Sequence, residues 1–249
     1  MWIKEPSENC KEQESSDSNL NFLFNDGKFY IMDNHLAAAW CWLQKLDTTK
    51  HYNFFHIDQH EDLWCDAPIE SFNLIKENPL LSLDEYLSLE YSRRGDGKEK
   101  SFNYANYIIQ TKKFYPDWFE SCYFACPKYV RDEYLNIVYN PTCYELSTNI
   151  SYWVHDGKEE DAWNPPPEKL NKWILNIDID YFFYENKYQM FTDDYIKELC
   201  LDILRGIEDI EVITIALSPE CCGGWDKSYR LAKLMADSLG FEFKIDELE

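Results

Sequence analysis

A chain of 249 residues is long enough for one large α/β domain with a sizeable core, or for two small domains. It carries 46 acidic against 24 basic residues and a net charge of −22. That charge disfavours nucleic acids and anionic membranes as partners, because phosphate binding depends on clustered Lys and Arg. It favours cationic partners such as metal ions, amines, guanidines and basic peptides; a solvated acidic surface is the alternative explanation.

No run of about 18 apolar residues occurs, so the sequence predicts no membrane-spanning segment. Residues 1–20 lack the apolar centre of a signal peptide, and we expect them to form a polar lead-in to one domain at residues 21–249. Without an export signal, the nine cysteines are expected to be reduced in the cytoplasm. Their odd number argues against a complete disulfide framework.

The predicted elements alternate between strands and helices. A hairpin is predicted around Asn25-Asp26-Gly27, a strong turn signal. The sequence then predicts a helix over 34–46, a strand over 51–57, a capped helix from 82, strands over 121–126 and 172–183, a helix over 192–207, a strand over 211–217, a helix over 225–238 and a strand over 241–245. This alternation predicts an α/β fold, a three-layer α/β/α sandwich with a mainly parallel sheet.

Acidic residues and histidines gather where predicted strands end. Six of them do so: His35, Asp58, His60, Asp62, Asp178 and Asp180. Asp58, His60 and Asp62 are spaced by two, so that in extended backbone their side chains point to one face. Asp178 and Asp180 have the same spacing. Because sites in parallel sheets form at the carboxyl ends of the strands, we expect the six side chains to meet.

This mixture of side chains indicates a particular kind of metal site. Carboxylate and imidazole without thiolate suit Mn²⁺ or another borderline metal better than a structural zinc site made of cysteines. Two divalent cations would balance four aspartates, and metals about 3.5–4 Å apart can turn a shared water into hydroxide near neutral pH. The D-x-H-x-D motif alone could equally be a polar loop; together with D-x-D and an upstream His it predicts a metal site.

Four blocks of the sequence resemble the arginase and agmatinase family of ureohydrolases. They read IMDNHLAAAWCW, FHIDQHEDLW, LNIDIDYFF and TIALSPECCGGW, and the resemblance extends over roughly residues 22–245. It is closest to a divergent branch, the peptide arginases, and more distant from the histone-deacetylase-like amidohydrolases. The resemblance implies conversion of arginine side chains in a ribosomal precursor peptide to ornithine and urea.

The resemblance also implies a pair of Mn²⁺ ions and the residues that hold them. One ion would be held by His35, Asp58, Asp62 and Asp178. The other would be held by Asp58, His60, Asp178 and Asp180, so that Asp58 and Asp178 bridge the pair. Asp62 is expected to be catalytic as well as a ligand.

Substrate residues are expected on neighbouring loops. Glu220 follows the strand over 211–217, and its carboxylate would bind the guanidinium in a bidentate way. Asn106 and Trp64 are the other predicted substrate contacts. Arginases that act on free arginine have an Asn where this chain continues with Leu63 and Trp64, and a proton-shuttle histidine that finds no match here. His155 is the candidate replacement, with a surface-loop histidine as the alternative.

Other functions stay open at this level. The chain could be a ureohydrolase of a small free guanidine, arginine or agmatine, or a deacetylase-like amidohydrolase with one zinc, or a metal-stabilised binding protein. The complete set of six ligands favours two metals, and the apolar Leu63 and Trp64 favour an arginine-containing precursor peptide as partner. His56 is either a support for the metal ligands or simply a polar residue on the other strand face. The sequence carries no signal for an oligomeric state.

Overall fold

The computed structural model describes residues 1–16, 19–64, 81–92, 97–132, 135, 137–141 and 171–248. Its strands are β1 (Trp2–Lys4), β2 (Leu23–Asp26), β3 (Phe29–Met32), β4 (Tyr52–Ile57), β5 (Glu90–Ser92), β6 (Lys98–Lys100), β7 (Phe119–Ala125), β8 (Ile137–Tyr139), β9 (Lys172–Asp178), β10 (Phe183–Tyr184), β11 (Tyr188–Gln189) and β12 (Ile210–Ala216). Its α-helices are α1 (Ala38–Lys45), α2 (Leu83–Ser88), α3 (Tyr107–Phe114), α4 (Asp193–Arg205) and α5 (Trp225–Leu239).

Eight of the described strands form one sheet in the order β1-β2-β3-β12-β9-β4-β7-β8. Every neighbouring pair from β3 to β8 is parallel, whereas β1 and β2 extend one edge in antiparallel fashion. Two further antiparallel pairs, β5 with β6 and β10 with β11, lie outside this sheet. A mainly parallel sheet needs helices on both faces, because its strands are apolar on both.

Alternate residues of the strands supply two apolar cores on opposite faces of the sheet. In β4, Phe55 packs in the same core as Leu199 of α4, whereas Phe54 packs in the same core as Trp42 of α1. Helices α4 and α5 therefore cover one face, and α1, α2 and α3 cover the other. The predicted three-layer α/β/α sandwich is confirmed.

Local sequence signals account for several element boundaries. The hairpin between β2 and β3 turns at Gly27, whose φ of 58° lies in the left-handed region that favours glycine. Ser82 and Glu85 form the predicted capping box at the start of α2. Helix α4 begins after Thr192, whose side chain accepts the Tyr195 N–H. These boundaries agree with the predicted turn and caps.

One predicted strand end and one predicted strand are wrong. The strand predicted over 172–183 ends at Asp178, because the Asp178 side chain accepts the Asp180 N–H and starts a 3-10 turn, Ile179–Phe182. Residues 241–245 form no strand. Their alternating burial comes from packing: Phe243 contacts Trp2 among other rings and is buried without a neighbouring strand.

Part of the N-terminal segment, expected as a polar lead-in over residues 1–20, docks on the edge of the sheet. Strand β1 pairs with β2 at the edge of the sheet. Trp2 packs edge-on against Phe22 and Phe24, with ring centroids 5.8 and 5.1 Å apart, and Cys10 is fully buried. Trp2 and Cys10 therefore dock a mainly polar segment on the domain, because both pack in the core on the α4 and α5 side of the sheet.

The seven cysteines that the structure describes are all free. Cys122, for example, is buried and Cys126 is partly buried. No helix within the described ranges is both long enough and apolar enough to cross a membrane.

Candidate metal centre

Four neighbouring parallel strands, β3, β12, β9 and β4, end at one edge of the sheet. Their register aligns Ala216 with Met32 on one side and with Asp178 on the other, and aligns Ile57 with Ile177. The segments that leave these strands therefore start side by side. They carry the predicted metal ligands and Glu220, as expected for a site at the carboxyl ends of parallel strands.

The ligands reach this edge through turns and not along extended strands. Strand β4 ends at Ile57, and Asp62 has a left-handed backbone with φ of 51°. Asp180 lies in the 3-10 turn Ile179–Phe182. The prediction that a spacing of two keeps the side chains on one strand face is therefore wrong for both motifs. A left-handed aspartate costs on the order of 1–3 kcal/mol and is typical of a functional site.

Short hydrogen bonds within the turns hold the carboxylates in place. Asp58 Oδ1 accepts the His60 N–H at 2.6 Å, and Asp178 Oδ1 accepts the Asp180 N–H at 2.9 Å. Asp178 Oδ2 accepts the Ser218 hydroxyl at 2.6 Å. Each motif thus uses its first aspartate to fold the turn that presents its later members.

The first group of candidate ligands surrounds His35. Its Nδ1 atom lies 3.4 Å from Asp62 Oδ2 and 3.5 Å from Asp178 Oδ2. Asp58 Oδ2 is 3.7 Å from the same nitrogen. One imidazole and three carboxylates therefore converge on a common point at the end of β9.

The second group surrounds His60 and shares Asp58 with the first. His60 Nδ1 lies 3.0 Å from Asp180 Oδ2 and 3.3 Å from Asp58 Oδ1. Asp58 thus directs one oxygen to each group. Ligand atoms within 4.8 Å of one another, as a metal site needs, are found for His35 with Asp58 and Asp178 and for Asp58 with His60 and Asp180; Asp178 is not among the second set, in which it was predicted as a bridging ligand.

Burial makes these carboxylates costly without a cation. Asp58 and Asp180 are each 1% exposed. Asp58 Oδ2 is buried and accepts no hydrogen bond from any described residue, and Asp180 Oδ2 is buried with the His60 ring nitrogen 3.0 Å away. A buried carboxylate oxygen without a donor is unfavourable, and a metal ion is the partner that nitrogen and oxygen ligands in this arrangement fit. These buried His and Asp groups could hold a metal ion.

The pKa values report the same electrostatic conflict. Burial, together with repulsion from Asp180, Asp62 and Asp178, raises the pKa of Asp58 well above its ordinary range. Burial and Asp180 raise the pKa of Asp178 to about 7. The Asp180 carboxylate raises the pKa of His60 to about 9. The raised pKa values of Asp58, Asp178 and His60 thus have a common cause, the clustering of buried carboxylates that a cation would offset.

His56 supports the ligands from the sheet face that α1 and α3 cover. It is fully buried, its Nε2 donates to His60 O at 3.0 Å, and its Nδ1 accepts from Asn176 Nδ2 at 2.9 Å. Burial and the nearby His35 hold the pKa of His56 well below its ordinary range, so that the ring is neutral. The ring nitrogen that faces the carboxylates carries the proton in this arrangement, so that His56 supports the ligands; with Asp58 and Asp62 it also forms a third group of atoms that could hold a metal ion.

Asn176 is a residue that the sequence analysis missed. Its side-chain oxygen accepts the Thr214 hydroxyl at 2.6 Å, and its Nδ2 is 3.2 Å from His35 Nε2 and 2.9 Å from the Tyr107 hydroxyl. Tyr107 also stacks on His35 with ring centroids 4.9 Å apart. Asparagine within an apolar strand was the available signal, because a buried amide needs partners.

A cavity of about 860 Å³ opens above the two groups. Glu220, in the 3-10 turn Pro219–Cys221 after β12, lines it, and so does Trp64, which is 72% exposed. Asn106 does not lie in the cavity wall: it is buried and hydrogen-bonds to the backbone of Asn103 and Ser101. The predicted proton-shuttle candidate, His155, lies outside the described residues.

Comparison with known proteins adds no family assignment. No family model matches the chain, and no curated protein matches it significantly.

Proposed function

We propose that the protein is a binuclear manganese hydrolase that converts arginine side chains in a ribosomally made precursor peptide to ornithine and releases urea. The observation that carries the proposal is the placement of Asp58 between two ligand groups, with one oxygen toward His35 and the other toward His60. A single-zinc site of the deacetylase type needs only one Asp-His-Asp set. The additional His35 and Asp62 would be redundant there, whereas a metal pair uses both.

Manganese is the proposed metal because every candidate ligand is a carboxylate or an imidazole. The four aspartates, including the bridging candidates Asp58 and Asp178, would balance two divalent cations. When bound, such a pair supplies Lewis acidity, which lowers the pKa of water enough for attack near neutral pH. The cytoplasm, where manganese is available to a reduced protein, is the proposed location.

Glu220 is the proposed partner of the guanidinium group. Its carboxylate lines the same cavity as the metal ligands. A carboxylate can accept two N–H bonds from a guanidinium in a bidentate arrangement, which fixes the plane of the group. This contact orients the central carbon toward the ligand groups, so that attack is directed at one position.

The proposed reaction moves one water across a C–N bond. The water oxygen adds to the guanidinium carbon, the bond from that carbon to Nε breaks, and urea leaves. Nε takes up both protons of the water and becomes the ammonium group of ornithine; the first of these protons has to be carried to it from the attacking water. We assign Asp62 as the carrier of this proton, because it lines the cavity and is the most exposed of the four aspartates, at 9%.

The mouth of the cavity supports a peptide substrate. Trp64, Tyr104 and Tyr129 line it and are 72%, 46% and 77% exposed. The Trp64 N–H donates to Ala105 O at 2.9 Å, so that a fixed backbone presents the exposed indole. Large aromatic side chains at a cavity mouth are typical of surfaces that bind peptides.

Two basic residues favour free arginine as the second candidate substrate. Lys128 and Arg131 line the same cavity, where either could receive the carboxylate of a free amino acid. The same side chains could instead contact an acidic residue of a peptide. Replacing both with alanine separates these functions, since only turnover of free arginine depends on a carboxylate contact.

The test uses the manganese-loaded protein and a short peptide that contains one arginine between neutral residues. Mass spectrometry should show loss of CH₂N₂ from the peptide, and a urea assay should give matching urea. Free arginine and agmatine, assayed under the same conditions, should be poor substrates. Rapid urea release from free arginine with an unchanged peptide mass contradicts the peptide function and supports the second candidate.

A further inference from the structure

The Glu220 carboxylate is held by a residue from the other end of the chain. Ser15 donates its backbone N–H to Glu220 Oε1 at 2.7 Å. Glu220 is exposed and follows Ser218, whose φ of 42° is left-handed. An exposed glutamate ordinarily samples several rotamers, and ordering it costs conformational entropy. A charge-assisted bond from a fixed N–H supplies that order before any ligand arrives.

Ser15 is itself fixed by the turn that carries His35. Its hydroxyl donates to Asp33 O at 3.3 Å and accepts from Asn34 Nδ2 at 2.9 Å. Asn34 also caps the 3-10 turn His35–Ala37 by accepting the Leu36 N–H. The bond to Glu220 therefore connects the guanidinium candidate to the segment that presents a metal ligand.

The residues before and after Ser15 are tied to the domain as well. Gln13 O accepts the Trp225 indole N–H at 3.1 Å, and Glu14 O accepts Asn19 Nδ2 at 3.1 Å. Ser16 O accepts Asn34 Nδ2 at 3.3 Å. Residues 13–16, which we name the N-terminal strap, are thus held at each position by groups of the domain.

The strap lies at the cavity and not only against the surface. Glu14, Ser15 and Ser16 line the same cavity as Glu220. The Ser15 N–H occupies one position on Oε1 and leaves Oε2 and the rest of Oε1 to accept N–H groups from a ligand. A guanidinium needs a carboxylate in one fixed plane, so the position of the strap sets the position of its partner.

We propose that Ser15, through its backbone N–H, is a positioning residue for Glu220, and that the N-terminal strap is therefore part of the guanidinium subsite. The inference rests on the proposed function, in that Glu220 is taken to receive a guanidinium. It assigns to the N-terminal segment a role in substrate affinity that docking of the segment alone does not require.

Two substitutions at one position separate the N–H from the side chain. Ser15→Pro removes the N–H that Glu220 accepts, whereas Ser15→Ala keeps it and removes only the hydroxyl. For the manganese-loaded protein, Ser15→Pro should lower kcat/KM on the arginine peptide by about tenfold, as expected for a misplaced binding group. Ser15→Ala should lower kcat/KM less than Ser15→Pro does, because it keeps the N–H toward Glu220 and loses only the hydroxyl bonds to Asp33 O and Asn34 Nδ2, and metal content should be equal in all three.

A double-mutant cycle shows whether Ser15 acts through Glu220. In the Glu220→Gln background, Ser15→Pro should cause little further loss, because groups that act through one contact are not additive. The proposal is overturned if Ser15→Pro causes equal losses in the unsubstituted and Glu220→Gln backgrounds, or if it causes no loss in the unsubstituted protein. The strap would then contribute only to stability. If Ser15→Pro fails to unfold cooperatively, Trp225→Phe, which frees Gln13 O, takes its place in the same cycle.

A binding measurement tests the role of Ser15 separately from the proposed hydrolase activity. If the manganese-loaded protein releases no urea from any arginine substrate, the proposed function fails, and the peptide then binds without being consumed. Calorimetry with an arginine peptide and a citrulline peptide, which has a neutral urea group, reads the subsite directly. Ser15→Pro should reduce the preference for arginine about tenfold, and an unchanged preference overturns the role of Ser15.

Discussion

At the residue scale, the candidate centre is marked by several buried carboxylates that repel one another. Asp58 keeps a buried oxygen without a hydrogen-bond donor among the described residues, Asp180 Oδ2 faces the His60 ring nitrogen at 3.0 Å, and Asp180, Asp62 and Asp178 repel the Asp58 carboxylate. Proteins rarely bury such groups without a compensating charge. The carboxylates whose repulsion destabilises the metal-free protein are therefore the ones that a bound cation would stabilise.

Asp178→Ala should remove most of the bound metal, because this residue supplies a carboxylate and also folds the turn that presents Asp180. Elemental analysis of manganese-grown protein should approach two metals per chain before the substitution and fall well below one afterwards. Asp194→Ala is the matched control, since that side chain is 92% exposed on α4. Full metal content in Asp178→Ala contradicts the assignment.

The raised pKa of Asp178 predicts how pH affects the metal-free protein. Its pKa is about 7 when folded and about 3.9 in an unfolded chain. Between these values the folded state holds a proton that the unfolded state has lost, so the free energy of unfolding falls as pH rises. The contribution is present below about pH 4 and is lost as pH passes through about 7.

Urea unfolding of metal-free protein between about pH 5 and about pH 8 measures this dependence. The midpoint should fall as pH rises, and it should fall less in Asp178→Asn, which cannot ionise. Manganese should reverse the trend, because the metal needs deprotonated carboxylates and binding it releases protons. An identical slope in Asp178→Asn would show that another group is responsible.

At the element scale, the sequence identified which residues meet but not the backbone that joins them. Asp58 and Asp178 could be placed at strand ends from the sequence, because apolar runs and the residues at which they stop can be recognised without the structure. The left-handed Asp62 and the turn at Asp180 were not predicted, since they depend on tertiary hydrogen bonds. Asn176 was missed for the same reason: its importance lies in partners from β4, β12 and α3.

Helix α4 offers a stability prediction that is independent of the metal. Thr192 accepts the Tyr195 N–H at 3.2 Å at the start of the helix. Thr192→Ala should lower the free energy of unfolding by about 1 kcal/mol, with unchanged metal content. Thr192→Ser keeps the accepting hydroxyl and should cost much less. Equal losses in the two variants would mean that the methyl group, and not the cap, stabilises this end of α4.

At the scale of the whole molecule, alternation of strands and helices was enough to predict the layers, and over residues 241–245 it misled because alternating burial imitates a strand. Phe241 and Phe243 alternate as a strand would, yet they dock on the core without pairing. Trp2 and Cys10 are the opposite case. They lie in a segment whose sequence is mainly polar, yet Trp2 packs against Phe22 and Cys10 is fully buried, so that the segment docks on the core. In both cases, contacts between residues far apart in the sequence determine the structure, and the local sequence pattern does not reveal those contacts.

The net charge of −22 gives the molecule a long-range preference for cations. Acidic residues at the cavity, among them Glu14, Glu61 and Asp132, lie where an arginine peptide would approach. Such attraction accelerates encounter and is screened beyond a distance of about 10 Å at 0.1 M salt. The value of kcat/KM for the peptide should therefore fall several-fold between about 20 and about 200 mM NaCl, while kcat changes little.

A second peptide makes this salt dependence specific. When acidic residues flank the same arginine and give the peptide a net negative charge, repulsion by the protein should be screened by salt, so that kcat/KM rises with NaCl. Metal content is measured at each salt concentration, because loss of manganese would lower both rates together. Parallel falls for the two peptides at constant metal content would contradict electrostatic attraction and would leave contacts within the cavity as the source of substrate affinity.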